Sequence, residues 1–175
     1  MGLLLPASGD LFLYGVLSKV TSDCLVDIVA SWWQTYRQRF AQVRTLVLNL
    51  DNGPENHSRR TQFLFRLVEF ARQERICVRL AYYPPYHSKY NPVERCWGVL
   101  EMHWNAALLD TVETVLQFAA SMTWKGKSPQ VDLVTKTYPK GVCLTEEAMQ
   151  VLETQVIRLQ GLEKWFVDIP CEPIM

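Results

Sequence analysis

Short apolar runs alternate with longer stretches of helical periodicity along most of the 175 residues. Alternation of this kind restricts the chain to a layered α/β architecture with a mainly parallel sheet. The runs at 11–17 (Leu-Phe-Leu-Tyr-Gly-Val-Leu), 44–51 (Arg-Thr-Leu-Val-Leu-Asn-Leu-Asp) and 76–83 read as buried strands. The second is apolar on both faces, as strands of parallel sheets are. Between the first two, Leu25, Ile28, Val29, Trp32, Trp33 and Tyr36 recur at helical spacing behind a cap at Thr21 or Ser22. A second helix covers about 58–74, with Phe63, Leu64, Leu67, Val68 and Ala71 on one face. Pro84-Pro85 ends the third strand, and Pro92 opens a helix reaching about Asn105. Asp110-Thr-Val-Glu113 has the form of a capping box and starts a helix to about Met122. Past Trp124-Lys-Gly-Lys127 the periodicity weakens, leaving a helix near 145–159 and a short strand at 165–169.

Composition narrows the function classes. Lys+Arg and Asp+Glu number 18 each, so no global positive field draws a nucleic acid, and any such partner is reached through a local patch. No apolar run approaches the length of a membrane span, because Gly9-Asp10, Asp23 and Asp27 interrupt the N-terminal stretch. Met1-Gly-Leu-Leu-Leu-Pro6 lacks the basic start of a signal peptide. The five cysteines (24, 77, 96, 143 and 171) are scattered without a CxxC pair and read as reduced thiols of a cytoplasmic protein, not as a disulfide frame or zinc site.

Two carboxylates stand where chemistry is plausible. Asp51 closes an apolar strand and precedes a glycine turn, the place where open α/β sheets hold ligands. Its alternative role is that of a turn-forming Asx residue. Glu94 lies in the first turn of a helix after Asn91-Pro92, where an acid also complements the helix dipole. Together they offer the oxygen donors that Mg²⁺ takes alongside phosphate and water. From Asp51 to Arg95, eight Arg and Lys stand against five Asp and Glu, while from residue 141 onward two bases face six acids. The basic character is therefore local. Tyr82, Tyr83, Tyr86, Tyr90 and Trp97 interleave there with His87, Lys89 and Arg95, a mixture suited to phosphate contacts and base stacking. Arg66, Arg72 and Arg75 fit a solvated helix face, and Trp32, Trp33, Trp104 and Trp165 fit the core.

Leu50-Asp-Asn-Gly-Pro-Glu-Asn-His-Ser-Arg-Arg-Thr-Gln-Phe63 and Tyr82-Tyr-Pro-Pro-Tyr-His-Ser-Lys-Tyr-Asn-Pro-Val-Glu-Arg-Cys-Trp-Gly98 resemble the catalytic domain of DDE-type insertion-sequence transposases, of the ISAzo type related to the mariner-like superfamily. Met122-Thr-Trp-Lys-Gly-Lys127 and Gly161-Leu-Glu-Lys-Trp165 share the resemblance, which runs from about residue 3 to 169. It implies a ribonuclease H-like (retroviral-integrase-like) mixed sheet flanked by helices. It also implies metal-dependent cleavage and strand transfer of DNA. Asp51 becomes the second acid of the metal-binding triad and Glu94 the third. Mg²⁺ or Mn²⁺ is the implied cofactor, as a two-metal site once a first Asp is supplied. Arg59, Arg60, His87, Lys89, Asn91 and Arg95 are candidate DNA contacts, and Asn56 and Arg60 candidates to orient Asp51. The implied partners are transposon ends, target DNA and further copies of the complete protein, with no membrane, in the cytoplasm and on the nucleoid.

The family's first Asp has no counterpart. Asp10 precedes a strand in a turn, and Asp23 and Asp27 begin a helix. The expectation is a partial catalytic core over 1–125 lacking its opening strands, with a helical and strand extension over 126–175 packed on it. A further expectation is an open edge on the strand at 45–50 that makes the product prone to dimerise or aggregate. Without that Asp the fragment is expected to be inactive alone, and the two alternatives to this reading are a non-catalytic DNA-binding or regulatory remnant and an unrelated metal-dependent phosphoesterase.

Overall fold

The computed structural model describes residues 1–84, 87 and 90–173. In chain order the strands are β1 (Gly2–Leu5), β2 (Asp10–Val16), β3 (Thr45–Leu50), β4 (Cys77–Tyr82), β5 (Gln130–Val134), β6 (Ile157–Arg158) and β7 (Phe166–Ile169). The helices are α1 (Ser22–Tyr36), α2 (Thr61–Glu74), α3 (Pro92–His103), α4 (Val112–Ser121) and α5 (Glu146–Glu153), with a 3-10 turn at Arg37–Phe40 after α1. They form an α/β fold with two mixed sheets, distributed over two compact units.

The first unit draws on residues 1–18 and 87–137. Its sheet has the order β1-β2-β5, with β1 antiparallel and β5 parallel to β2. Leu11 and Leu13 of β2 pack with Cys96 and Leu100 of α3 and with Ala119 and Met122, and Leu4, Trp97, Trp104, Trp124 and Val131 flank this cluster. Trp124 and Lys127 pair across a tight turn in which Lys125 and Gly126 both have positive φ (49° and 76°), the turn that matches the twist of a hairpin. Lys127 Nζ reaches Asp10 Oδ1 at 2.8 Å. Both β1 and β5 lie outside the sequence expectation. β1 is only four residues long, and β5 finds its partner more than a hundred residues upstream, a pairing without local signal.

The second unit draws on residues 19–86 and 138–175. Its sheet has the order β3-β4-β7-β6, with β3 parallel to β4 and β7 antiparallel to both β4 and β6. Register places Leu46, Leu48 and Leu50 beside Val78, Leu80 and Tyr82, which in turn lie beside Val167 and Ile169. α2 packs on β4, β7, α1 and α5. Leu64 and Leu67 of α2 and Leu80 of β4 are completely buried, each contributing roughly 1.5–3 kcal/mol of apolar burial.

β3 departs from the buried strand that its composition suggests. It is the terminal strand of its sheet, Thr45, Val47 and Asn49 are exposed, and the three leucines are only half-buried. Leucine and valine content reports that a strand wants cover, not that it has it. Among the described residues no strand pairs with its outer edge.

Helix boundaries follow the caps. Thr21 accepts the Cys24 N–H to start α1, and Thr145 accepts the Ala148 N–H to start α5. α4 begins on Thr111, whose hydroxyl accepts the Thr114 N–H, so the Asp110–Glu113 capping box is not the device used, and Glu113 accepts from Gln117 one turn on. The helix expected over 145–159 stops at Glu153, and Ile157–Arg158 turn into β6 against β7. α2 starts at Thr61, three residues later than its apolar period suggests. Among the described residues no helix is long and apolar enough to cross a membrane.

Candidate metal and nucleic-acid site

β3 delivers Asp51 one residue past its last ladder position, and the Tyr83 N–H still donates to the Leu50 carbonyl at 2.9 Å. The chain then folds into consecutive turns, with His57 N–H on the Gly53 carbonyl (3.0 Å) and Arg60 N–H on the His57 carbonyl (2.8 Å). This loop brings Asn56 back to the acid, where its Nδ2 donates to Asp51 Oδ1 at 2.9 Å. Since an amide nitrogen is the group that a carboxylate accepts from, the orientation of the Asn56 amide is fixed by Asp51. The opposite oxygen, Oδ1, is buried without a hydrogen-bond partner. A Cβ at Gly53 would lie 2.9 Å from that oxygen, so glycine at 53 is what lets the amide sit there.

Beneath the loop, the Tyr82 hydroxyl donates to the Asn56 backbone carbonyl at 2.7 Å. Burial pushes this phenol well above its ordinary value, Asp51 adds to the rise and Arg158 opposes it. It therefore remains a donor throughout the neutral range. Tyr82 is 5% exposed, which removes it from the set of rings able to stack on bases. Arg158 secures the far end of the loop. Its guanidinium holds Glu153 through two bonds of 2.7 and 2.9 Å and donates to the Ser58 carbonyl at 3.0 Å. Its pKa is raised chiefly by the bond to Glu153. Neither anchor has a sequence signal of its own, because Tyr82 reads as one more strand aromatic and Arg158 lies 100 residues from Ser58.

Several other acids of this unit have partners of their own. Asp23 accepts from Arg66 (2.6 Å) and Gln62 (2.9 Å), and Asp27 accepts from Arg66 (2.8 Å) and the Tyr138 hydroxyl (3.0 Å). Arg66 is thus a bridge between α1 and α2 and not a solvated surface residue, and its pKa rises through those two aspartates against the opposing effect of burial. Glu55 accepts from Arg60 Nη2 at 3.3 Å and from the Ser22 N–H and hydroxyl, while Arg60 Nε reaches Ser22 Oγ at 3.3 Å. Arg60 therefore braces the loop on the start of α1. Arg59 beside it is exposed, and its N–H donates to His57 Nδ1.

Glu94 belongs to the other unit. Asn91 caps α3 by accepting the Val93 N–H through its side chain, with Pro92 in the first turn. The Glu94 N–H donates to the Asn91 carbonyl at 3.1 Å, and the side chains of Glu94 and Arg95 are exposed. Asn91 is 9% exposed and serves as a cap. His87 and Tyr90 stack with centroids 5.6 Å apart, Tyr90 N–H donates to the His87 carbonyl, and both side chains are exposed. Trp97 packs on the core cluster of its unit. Lys89, the remaining basic residue proposed from the sequence, and Tyr86 lie outside the described residues. Asp51 with Asn56, Arg59 and Arg60 thus forms one set, and His87 with Tyr90, Asn91, Glu94 and Arg95 a second, each on its own unit. Among the described residues no group of three or more His, Cys, Asp or Glu side chains converges as a metal cluster.

Comparison with protein families matches residues 1–171 to the Rhodopirellula transposase DDE domain. The chain belongs to that family of DDE transposase domains. No curated protein and no solved structure gives a significant match.

Proposed function

We propose that this chain carries part of the catalytic core of an insertion-sequence transposase, with a ribonuclease H-like arrangement, and that Asp51 and Glu94 are two of its metal-binding acids. The observation that carries the reading is the Asn56–Asp51 pair. An exposed carboxylate at the end of β3 has its Oδ1 held by the half-buried Asn56 side chain. The donor set suits a hard divalent cation in kind: Asp51 and Glu94 present carboxylate oxygens, and Mg²⁺ needs few protein ligands when phosphate and water complete its shell. Bound there, Mg²⁺ or Mn²⁺ would polarise the scissile phosphate and lower the pKa of the attacking water or hydroxyl. The protein's own part is positional. Asn56 holds Asp51 in one rotamer, Tyr82 and Arg158 hold the loop that carries Asn56, and the α3 N-terminus presents Glu94. Arg59, Arg95 and His87, with Tyr90, would contact DNA phosphates and bases, and Lys89 is assigned with them.

The other acids that sequence position brings into question are engaged: Asp10 with Lys127, and Asp23 and Asp27 with Arg66. On this reading the chain by itself binds DNA but does not cut it, and once a further metal-binding acid is supplied the same residues serve cleavage and strand transfer by an oligomer at transposon ends. The test uses a labelled DNA duplex with Mn²⁺. Binding by the chain that weakens steeply with salt, weakens in an Arg59→Ala, Arg95→Ala variant, and leaves the duplex uncut is the expected result. Binding unaffected by salt and by both arginines would remove the DNA assignment. Retained DNA binding that ignores Asp51→Ala and Mn²⁺ alike favours the second reading, a non-catalytic DNA-binding or regulatory remnant.

A further inference from the structure

Two of the five thiols meet. Cys77 is the first residue of β4 and Cys171 lies two residues beyond the end of β7, on neighbouring antiparallel strands of one sheet. Their register is fixed by the pairing of Val78 with Ile169, so the residue opposite Cys77 is the one just before Cys171. The sulfurs stand 3.2 Å apart although 94 positions separate the residues in sequence. A disulfide needs about 2.05 Å between sulfurs, so closing this gap takes little more than about 1 Å of side-chain motion, without rearrangement of the ladder. Both residues are partly exposed, which gives a small thiol reagent access. The other three are differently placed: Cys24 and Cys96 are buried, and Cys143 is exposed.

We propose that Cys77 and Cys171 form a redox-active dithiol that is converted to an intramolecular disulfide by low-molecular-weight disulfides of the glutathione class. In the first step one thiolate attacks a sulfur of oxidised glutathione, forming a protein–glutathione mixed disulfide and releasing one glutathione thiolate. The second protein thiolate then attacks the protein sulfur of that mixed disulfide, forming the Cys77–Cys171 bond and releasing the second glutathione. The two protein thiols lose two protons and two electrons, and one oxidised glutathione becomes two reduced ones. The bond pins the segment after β7 to the start of β4, and so joins both ends of the long stretch between residues 77 and 171, which includes Glu94. The sequence spacing conceals the pair, because only the return of β7 beside β4 brings residue 171 to residue 77.

The test is disulfide mapping of the full 175-residue chain after exposure to oxidised glutathione under native conditions. Trypsin releases Cys77 in the peptide Ile76–Arg79 and Cys171 in the peptide Trp165–Met175. The expected result is a crosslink between these two as the dominant protein disulfide, reversed by dithiothreitol. A Cys77→Ser chain should instead accumulate the glutathione adduct at Cys171. The same exposure in denaturant should give no preference among the five thiols. Stable glutathione adducts on both Cys77 and Cys171 of the native wild-type chain, or crosslinks spread equally over Cys143, would overturn the proposal.

Discussion

Replacing Arg66 with methionine tests how the two helices of the larger unit are held together. The guanidinium is 26% exposed and spans Asp23 at 2.6 Å, Asp27 at 2.8 Å and Glu69 at 3.2 Å. The two aspartates occupy successive turns of α1 and are themselves only 15% and 25% exposed. Methionine keeps the aliphatic stem but leaves both carboxylates half-buried and facing each other without a counter-charge. A fully exposed ion pair contributes ~0–1 kcal/mol, whereas breaking a buried one costs about 3–5 kcal/mol. With roughly a quarter of the guanidinium in solvent, and with Gln62 and Tyr138 still donating to the aspartates, an intermediate loss of about 2 kcal/mol is expected. For a chain of this size that corresponds to a drop in Tm of about 4–8 °C. Scanning calorimetry at fixed ionic strength measures it. The triple variant Arg66→Met, Asp23→Asn, Asp27→Asn should recover much of the loss, because the only acid left without its partner is Glu69, whose side chain is 54% exposed. A single variant that melts within a degree or so of wild type, or a triple variant no better than the single, would refute the claim that the loss comes from uncompensated carboxylates.

Other expectations are shorter to state. Tyr82→Phe removes the bond to the Asn56 carbonyl and should cost about 0.5–1.5 kcal/mol in urea denaturation at pH 7. Because burial raises the Tyr82 phenol above its unfolded value, its contribution is complete below about pH 10 and lost as pH rises toward the folded value, so the Phe variant should show a flatter alkaline limb. Gly53→Ala pushes a methyl against Asn56 Oδ1 and should weaken Mn²⁺ binding with little change in helix content by circular dichroism, whereas unchanged binding would show that Asn56 does not set the Asp51 rotamer. Val47→Lys places a charge on the exposed face of the open-edged β3 and should lower concentration-dependent association in sedimentation velocity, and equal association of both chains would mean that this edge is not the sticky surface.

The parts of the fold that the sequence reveals are those with local causes. α1 can be read from Thr21 and the spacing of Trp32 and Trp33, and α3 from Asn91-Pro92, because caps and periodicity act within one or two turns. β5 could not be read, since what makes Gln130–Val134 a strand is β2, far upstream. The same division runs through the candidate site. Asp51 and Glu94 stand out by position at a strand end and a helix start. The groups that hold Asp51 do not: Asn56 looks like a turn residue until its amide is seen on the carboxylate, and Tyr82 looks like a stacking ring until it is found buried beneath the loop. Arg60, read as a contact to phosphate or to Asp51, proves to be engaged by Glu55 and Ser22. Charge counting along a chain cannot separate a cation that meets solvent from one already taken by an acid 43 residues away, as Arg66 is.

The central claim, that Asp51 and Glu94 of this transposase domain are metal ligands, is tested most directly by isothermal titration of Mn²⁺ into the folded chain and into its Asp51→Ala, Glu94→Ala double variant, with the melting curve of each recorded alongside. Saturable binding to the wild-type chain that disappears in a double variant of unchanged melting temperature is the predicted result. Undiminished binding in that variant would contradict the account.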